Sequence, residues 1–148
     1  MKTFSRFSIF ALLAVLTITG CKKSHDDDHL DIGGFQIRLD NQIVASQSGT
    51  AVTGSISVTP GVTTGAFSVT FKDPEGRDLI INDSDIRLVV ESTNASVFTA
   101  TVSGYQFNIV SQAAGTANLR VSLMHGSHKD FESRPVPVTV ASASRLVP

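Results

Sequence analysis

From Phe35 to Val140 apolar and polar residues alternate with a period of two, the pattern of strands that bury one face and wet the other. Phe67, Val69 and Phe71 fall on one face, Ser68, Thr70 and Lys72 on the other. The alternation recurs in Phe35-Ile37-Leu39, Ile86-Leu88-Val90, Tyr105-Phe107-Ile109 and Ala117-Leu119-Val121-Leu123. Turn chemistry separates the runs: Asp40-Asn41, Pro60-Gly61, Asp73-Pro74-Glu75-Gly76, Asn82-Asp83, Ser103-Gly104 and Ala114-Gly115. Roughly eight to ten short strands at this spacing predict an all-β fold, an antiparallel β-sandwich over residues 34–141 followed by a tail, 142–148.

The first twenty residues break the pattern. Lys2 and Arg6 precede the apolar run Ile9 to Leu16, which has the length of a signal helix and is too short to remain as a membrane span. The run ends in Ile18-Thr19-Gly20-Cys21, which resembles the lipobox of bacterial lipoproteins. That resemblance implies cleavage between Gly20 and Cys21, a diacylglyceryl group on the Cys21 thiol and a further acyl chain on the new amino terminus. Two or more chains make such an anchor stable, since each buried methylene contributes about 0.8 kcal/mol. Cys21 is the one cysteine of the chain, so no internal disulfide can form.

Lys22 to His29 has no apolar residue and is expected to be a disordered tether within residues 21–33. Lys22 stands where lipoproteins retained at the inner membrane of enterobacteria carry Asp, which by resemblance implies the outer membrane. The acidic run Asp26-Asp27-Asp28 is similar to the surface-export signal of lipoproteins in the Bacteroidota and implies the outer face of that membrane. Losing Lys2 and Arg6 with the leader changes the net charge from −1 to −3, which excludes a nucleic-acid partner. The expected partners are the membrane, through the N-terminal lipid, and a protein or envelope polymer.

Within the β region, Phe107-Asn108-Ile109-Val110, Ala114-Gly115-Thr116-Ala117 and Val136-Pro137-Val138-Thr139-Val140 resemble the closing strands of bacterial immunoglobulin-like domains. The chain has no Trp and no cysteine pair, so the antibody-type signature is absent. The resemblance implies an immunoglobulin-like sandwich in which the entry of the first strand and the loop after the penultimate strand share one pole.

That topology gives the histidines a meaning. His25 and His29 lie in the tether, His125 and His128 in the expected loop after Met124, with Gly126 between them to permit a sharp bend. With Asp26, Asp27 and Asp28 they make a nitrogen and oxygen ligand set suited to zinc, copper or nickel. The leading expectation is nevertheless a non-enzymatic binding, adhesion or scaffolding module with no cofactor, and metal capture, by zinc or copper, is the alternative. A calcium reading attaches to Asp73, Glu75, Asp78, Asn82, Asp83 and Asp85, though their spacing is not that of an EF-hand. There is no Gly-x-Ser-x-Gly elbow, phosphate-cradling loop or His-Glu-x-x-His pair to suggest an enzyme. Phe131 sits in a polar stretch, His128 to Ser133, expected to be loop, where it either caps the sandwich or meets a partner. Pro135 and Pro137 are expected to protect a final edge strand, so replacing both with Val would promote self-association.

Overall fold

The computed structural model describes residues 30–142; the leader, Gly20, Cys21, the tether from Lys22 to His29 and residues 143–148 lie outside the described residues. Eleven strands are formed, with no helix among the described residues. Six make one sheet in the spatial order β3(Ala51–Gly54), β2(Gln42–Ser48), β1(Gly34–Leu39), β5(Phe67–Lys72), β8(Gln106–Ser111), β7(Phe98–Ser103). Five make the other. Its centre is β9(Gly115–His125), flanked on one side by β6(Ile86–Ser92) and on the other by both β10(His128–Glu132) and β11(Val136–Val140), with β4(Ile56–Val58) beyond β11.

The faces follow from the period-two pattern. Phe35 and Ile37 on β1, Phe67, Val69 and Phe71 on β5, Phe98 on β7, and Phe107 and Ile109 on β8 are buried. Leu119, Val121 and Leu123 on β9 meet them from the second sheet, with Ile86, Leu88 and Val90 on β6 and Val136, Val138 and Val140 on β11. The first sheet therefore supplies the aromatic half of the core and the second the aliphatic half. Phe67 and Phe107 stack across β5 and β8 with ring centroids 5.1 Å apart. The result is an all-β, immunoglobulin-like antiparallel sandwich, with a β1–β2 hairpin built into one sheet and a β9–β10 hairpin into the other.

Two local devices set this architecture. Asp40 and Asn41 both take positive φ, 49° and 64°, as the type I′ turn between β1 and β2 requires. At the other, the chain changes sheets within two residues: Gly54 still pairs with Ala45 in the first sheet, and Ile56 already pairs with Val138 in the second. Gly54 makes that bend at φ 81°, and a Cβ there would lie 2.2 Å from the carbonyl oxygen of Val44.

Three expectations are corrected. The stretch from His128 is not a loop but β10, an exposed strand of which Phe131 turns partly inward. The prolines do not guard an edge, because β11 is flanked by β9 on one side and by β4, in parallel, on the other. Pro137 is exposed and falls just before the β4 ladder opens at Val138. The strands number eleven and not eight to ten, the excess coming from segments such as β3 and β4 that are too short to show an alternation. Leu30 and Ile32 also pack against the core, and Gly33 donates its N–H to the Lys72 carbonyl at 2.9 Å, so the chain is already docked before β1 begins.

Buried polar groups tie the sheets together. Gln47, 7% exposed, accepts the Arg134 N–H through Oε1 at 2.7 Å and donates from Nε2 to the Gly49 carbonyl at 2.8 Å. Ser133 exchanges bonds with Val121, its N–H donating to the carbonyl and its Oγ accepting the N–H. It thereby fills the gap between the β10 and β11 ladders on β9, where a main-chain partner is missing.

Candidate functional site at the entry pole

The pole where the chain enters β1 also carries the end of β9, as the sequence implied, but by another route. β1 belongs to the sheet opposite β9, and Phe131 joins the two: its ring stands edge-on to Phe35 at 6.1 Å and to Phe71 at 5.8 Å. Phe131 therefore closes the end of the sandwich.

His125 and His128 face each other as the last pair of the β9–β10 hairpin, around Gly126-Ser127 with Gly126 at φ 56°. Glycine with positive φ at the first central position is what a two-residue type II′ turn needs. Gly126 is held further by its N–H to the Asp85 carbonyl and by Arg87 Nη1, which donates to its carbonyl at 2.9 Å. His125, about one-third exposed, has a carboxylate near each ring nitrogen: Asp83 Oδ2 at 3.5 Å from Nε2 and Asp130 Oδ2 at 3.7 Å from Nδ1. The Asp130 side chain is 1% exposed. His128 is exposed. His25, His29, Asp26, Asp27 and Asp28 lie outside the described residues. Among those described, no group of three or more His, Cys, Asp or Glu side chains is arranged to hold a metal ion.

That finding overturns the calcium reading, whose residues are all described. Asp73 accepts the Arg77 N–H at 2.8 Å and its Nε at 2.6 Å, Glu75 accepts Arg77 Nη2 at 2.9 Å, and Asp78 pairs with Lys72. Asp83 caps its own turn by accepting the Asp85 N–H. Asp73, Glu75 and Asp78 are thus each paired with a cationic side chain, and the set does not converge on a metal ion.

Two carboxyls at this end have depressed pKa values. Lys129, by a hydrogen bond and by its charge, holds Glu132 below the usual carboxylate range, with Arg120 adding to it against a smaller desolvation effect. Desolvation pushes Asp73 up, but the hydrogen bonds and charge of Arg77 outweigh it and leave the group low. A depressed folded pKa adds stability that is complete above the unfolded value, about 4, and is lost as pH falls through the folded one. Arg77→Ala and Lys129→Ala are therefore expected to start acid unfolding at a higher pH, followed by circular dichroism. The shift should be small because these pairs are solvent-screened, and an unchanged acid limb for both variants would refute the pairing.

Tyr105, at the β7–β8 turn, stands edge-on to Phe71 at 6.4 Å. Its ring separates two shallow grooves, one of about 210 Å³ against Leu79 and Ile81 and one of about 290 Å³ against Ile86 and Leu88. Burial pushes its hydroxyl pKa up, and the charge of Asp83 adds to that. The hydroxyl is out of solvent and makes no hydrogen bond. Removing an unsatisfied buried hydroxyl relieves a desolvation cost, so Tyr105→Phe is expected to leave stability unchanged or raise it by about 1 kcal/mol. A thermal melt showing a loss of that size would reveal a partner for the hydroxyl.

Sequence reasoning placed His125 and His128 correctly at one bend but did not anticipate Asp83, Asp130 or Tyr105 beside them. Only the three-dimensional crossing from β5 to β6 brings Asp83 over, and no local spacing encodes that.

The fold defines an immunoglobulin-like β-sandwich with a charged entry pole. No family model matches the sequence and no curated protein aligns with it. Among solved structures, domains 4 and 5 of the S-layer protein SbsC align over 74% of this chain and 77% of theirs, at 16% identity and a TM-score of 0.41. Domains 5–6 of that protein align over 63% of this chain at 19% identity and a TM-score of 0.41. The chain covers 42% of that second structure.

Proposed function

We propose that the protein is an envelope-anchored, non-enzymatic lipoprotein, acylated at Cys21, whose sandwich works as a binding, adhesion or scaffolding module at the outer membrane. The observation that carries this reading is the polarity of the fold. The chain enters at the pole bearing Phe131 and leaves from β11 at the opposite one, where Ala141 donates to the Val58 carbonyl. A lipid before the tether thus holds one end of the sandwich at the membrane and presents the other. Of the presented loops, Thr59 to Ala66, Thr93 to Val97 and Gln112 to Thr116 carry no charged residue, and the β1–β2 turn carries one, Asp40. The fitting partner is a protein or an envelope polymer. Labelled palmitate should enter the full chain in cells and be lost in Cys21→Ser, and protease shaving of intact cells should then fix the face of the membrane. Equal labelling of the variant would sink the anchor.

A second reading, zinc or copper capture, is favoured by the carboxylate at each nitrogen of His125. A carboxylate behind one nitrogen, as Asp130 stands to Nδ1, is the arrangement that orients metal-bound histidines, and Asp83 beside Nε2 would be a fellow ligand. The remaining ligands would come from His128 and from His25, His29, Asp26 and Asp28. Calorimetric titration of either ion into the full chain and into His125→Ala/His128→Ala decides it: two flat traces end this reading.

A further inference from the structure

The edges of the two sheets are protected unequally. β3 has four residues and ends at Gly54, and β4 has three. β6 exposes Arg87 and Glu91, while β10 exposes Lys129 and Glu132 and is kinked by a register shift between Lys129 and Phe131. Short length, charge and bulges are the devices that stop an edge from recruiting another strand. Among the described residues, β7 is the one edge with none of them. Its six residues hold no charge and no proline, and its register against β8 runs unbroken from Phe98 opposite Ser111 to Ser103 opposite Gln106. The neutrality is wider than the strand, since no Asp, Glu, Lys, Arg or His occurs between Glu91 and Arg120.

A second observation lies alongside. β6 and β7 belong to different sheets and are joined by the short link from Thr93 to Val97. At the far end of their seam from that link lies the groove of about 290 Å³ between Ile86 and Leu88 of β6 and Val102 and Tyr105 beside β7. Arg87 also lines this groove but spends Nη1 on the Gly126 carbonyl, so apolar surface is left open next to the one unguarded row of main-chain donors and acceptors.

We propose that β7 pairs antiparallel with β7 of a second copy of this chain, across a twofold axis normal to the sheet, so that two six-stranded sheets become one. The occupant is argued from charge: a neutral edge pairs with its own copy without repulsion, whereas a charged strand would shed hydration there with nothing opposite to replace it. The side chains suit self-pairing. With Thr101 opposite Thr101, the exposed face gains one Thr–Thr and two Thr99–Ser103 pairs, which are favourable cross-strand partners. On the inner face Ala100 meets Val102 and covers the mouth of the seam. Such an interface is self-complementary and closes at two copies. It does not depend on the lipid.

The test is sedimentation velocity of the full chain in mild detergent, up to about 100 μM. A dimer is expected, and Thr101→Lys, which sets two like charges face to face at the axis, should weaken it at least ~10-fold with an unchanged circular dichroism spectrum. A monomer throughout, open-ended oligomers, or a Thr101→Lys chain that dimerises as before each overturns the proposal. Should that variant fail to fold, cysteine cross-linking in intact cells decides. Thr101→Cys is expected to give a disulfide-linked dimer well above the background of the unaltered chain, and Thr53→Cys on the opposite edge is not. Equal yields from the two overturn the pairing.

Discussion

Truncation of Phe107 to alanine is expected to destabilise the domain by about 4 kcal/mol, the largest effect of any single core change. Phe107 is fully buried on β8, between β5 and β7, and stacks on Phe67, so the change removes an aromatic ring and leaves Phe67 without its stacking partner. The surroundings cannot collapse easily into the space, because Phe107 is fixed between Phe67 on β5 and Val102 on β7 by two ladders. Stability of a domain this size is typically about 5–15 kcal/mol, and no disulfide supplements it here. Phe107→Ala should therefore lower the melting temperature by roughly 15 °C. Phe107→Leu, which retains most of the volume, should lose less than half as much. A melt within a few degrees of the unaltered protein would show that the stacked pair does not organise the core.

The second large effect is expected at the sheet exchange. Gly54→Ala combines left-handed backbone strain with a Cβ 2.2 Å from the Val44 carbonyl oxygen, an atom that cannot yield because it belongs to the adjacent strand. Together these should cost roughly 2–4 kcal/mol. Gly104→Ala separates the two contributions. Gly104 takes φ 57° at the β7–β8 turn, yet a Cβ there meets nothing within 4 Å. It should pay only the strain, about 1–2 kcal/mol. Equal losses from the two variants, measured by chemical denaturation, would mean that the close approach at Gly54 relaxes freely.

Those two positions also show what the sequence makes legible. β5, β6 and β9 could be read directly because their inward and outward residues differ sharply, as in Phe67-Ser68-Val69-Thr70-Phe71. β2 hides its inner face because one of its two buried residues is Gln47, a polar group made tolerable only by Arg134 and Gly49. β7 alternates Thr with Ala and Val, a weak contrast suited to an edge. β10 has one apolar residue in five, Phe131, so composition marks it as loop although Gly126-Ser127 supplies a hairpin turn. The assignment of Pro135 and Pro137 to an edge failed for a related reason: the strand that covers β11 is the three-residue β4, too short for any period to register. For the entry pole, the bend at Gly126 that brings His125 and His128 together was legible, while the hairpin around it was not, and the neighbours Asp83 and Tyr105 arrive from segments remote in sequence.

The position of β11 has a kinetic consequence. The last strand is an interior member of its sheet, and Arg134 just before it reaches Gln47 across 87 residues of chain. Neither β4 nor the long first half of β9 has its partner until β11 arrives. Closing loops of that span is entropically costly before any contact repays it, which places the domain among slow folders dominated by non-local pairing. A chain elongating from its N-terminus thus stays unlocked until its final strand is made. A polypeptide with that property stays open to proteases and chaperones until synthesis has passed β11.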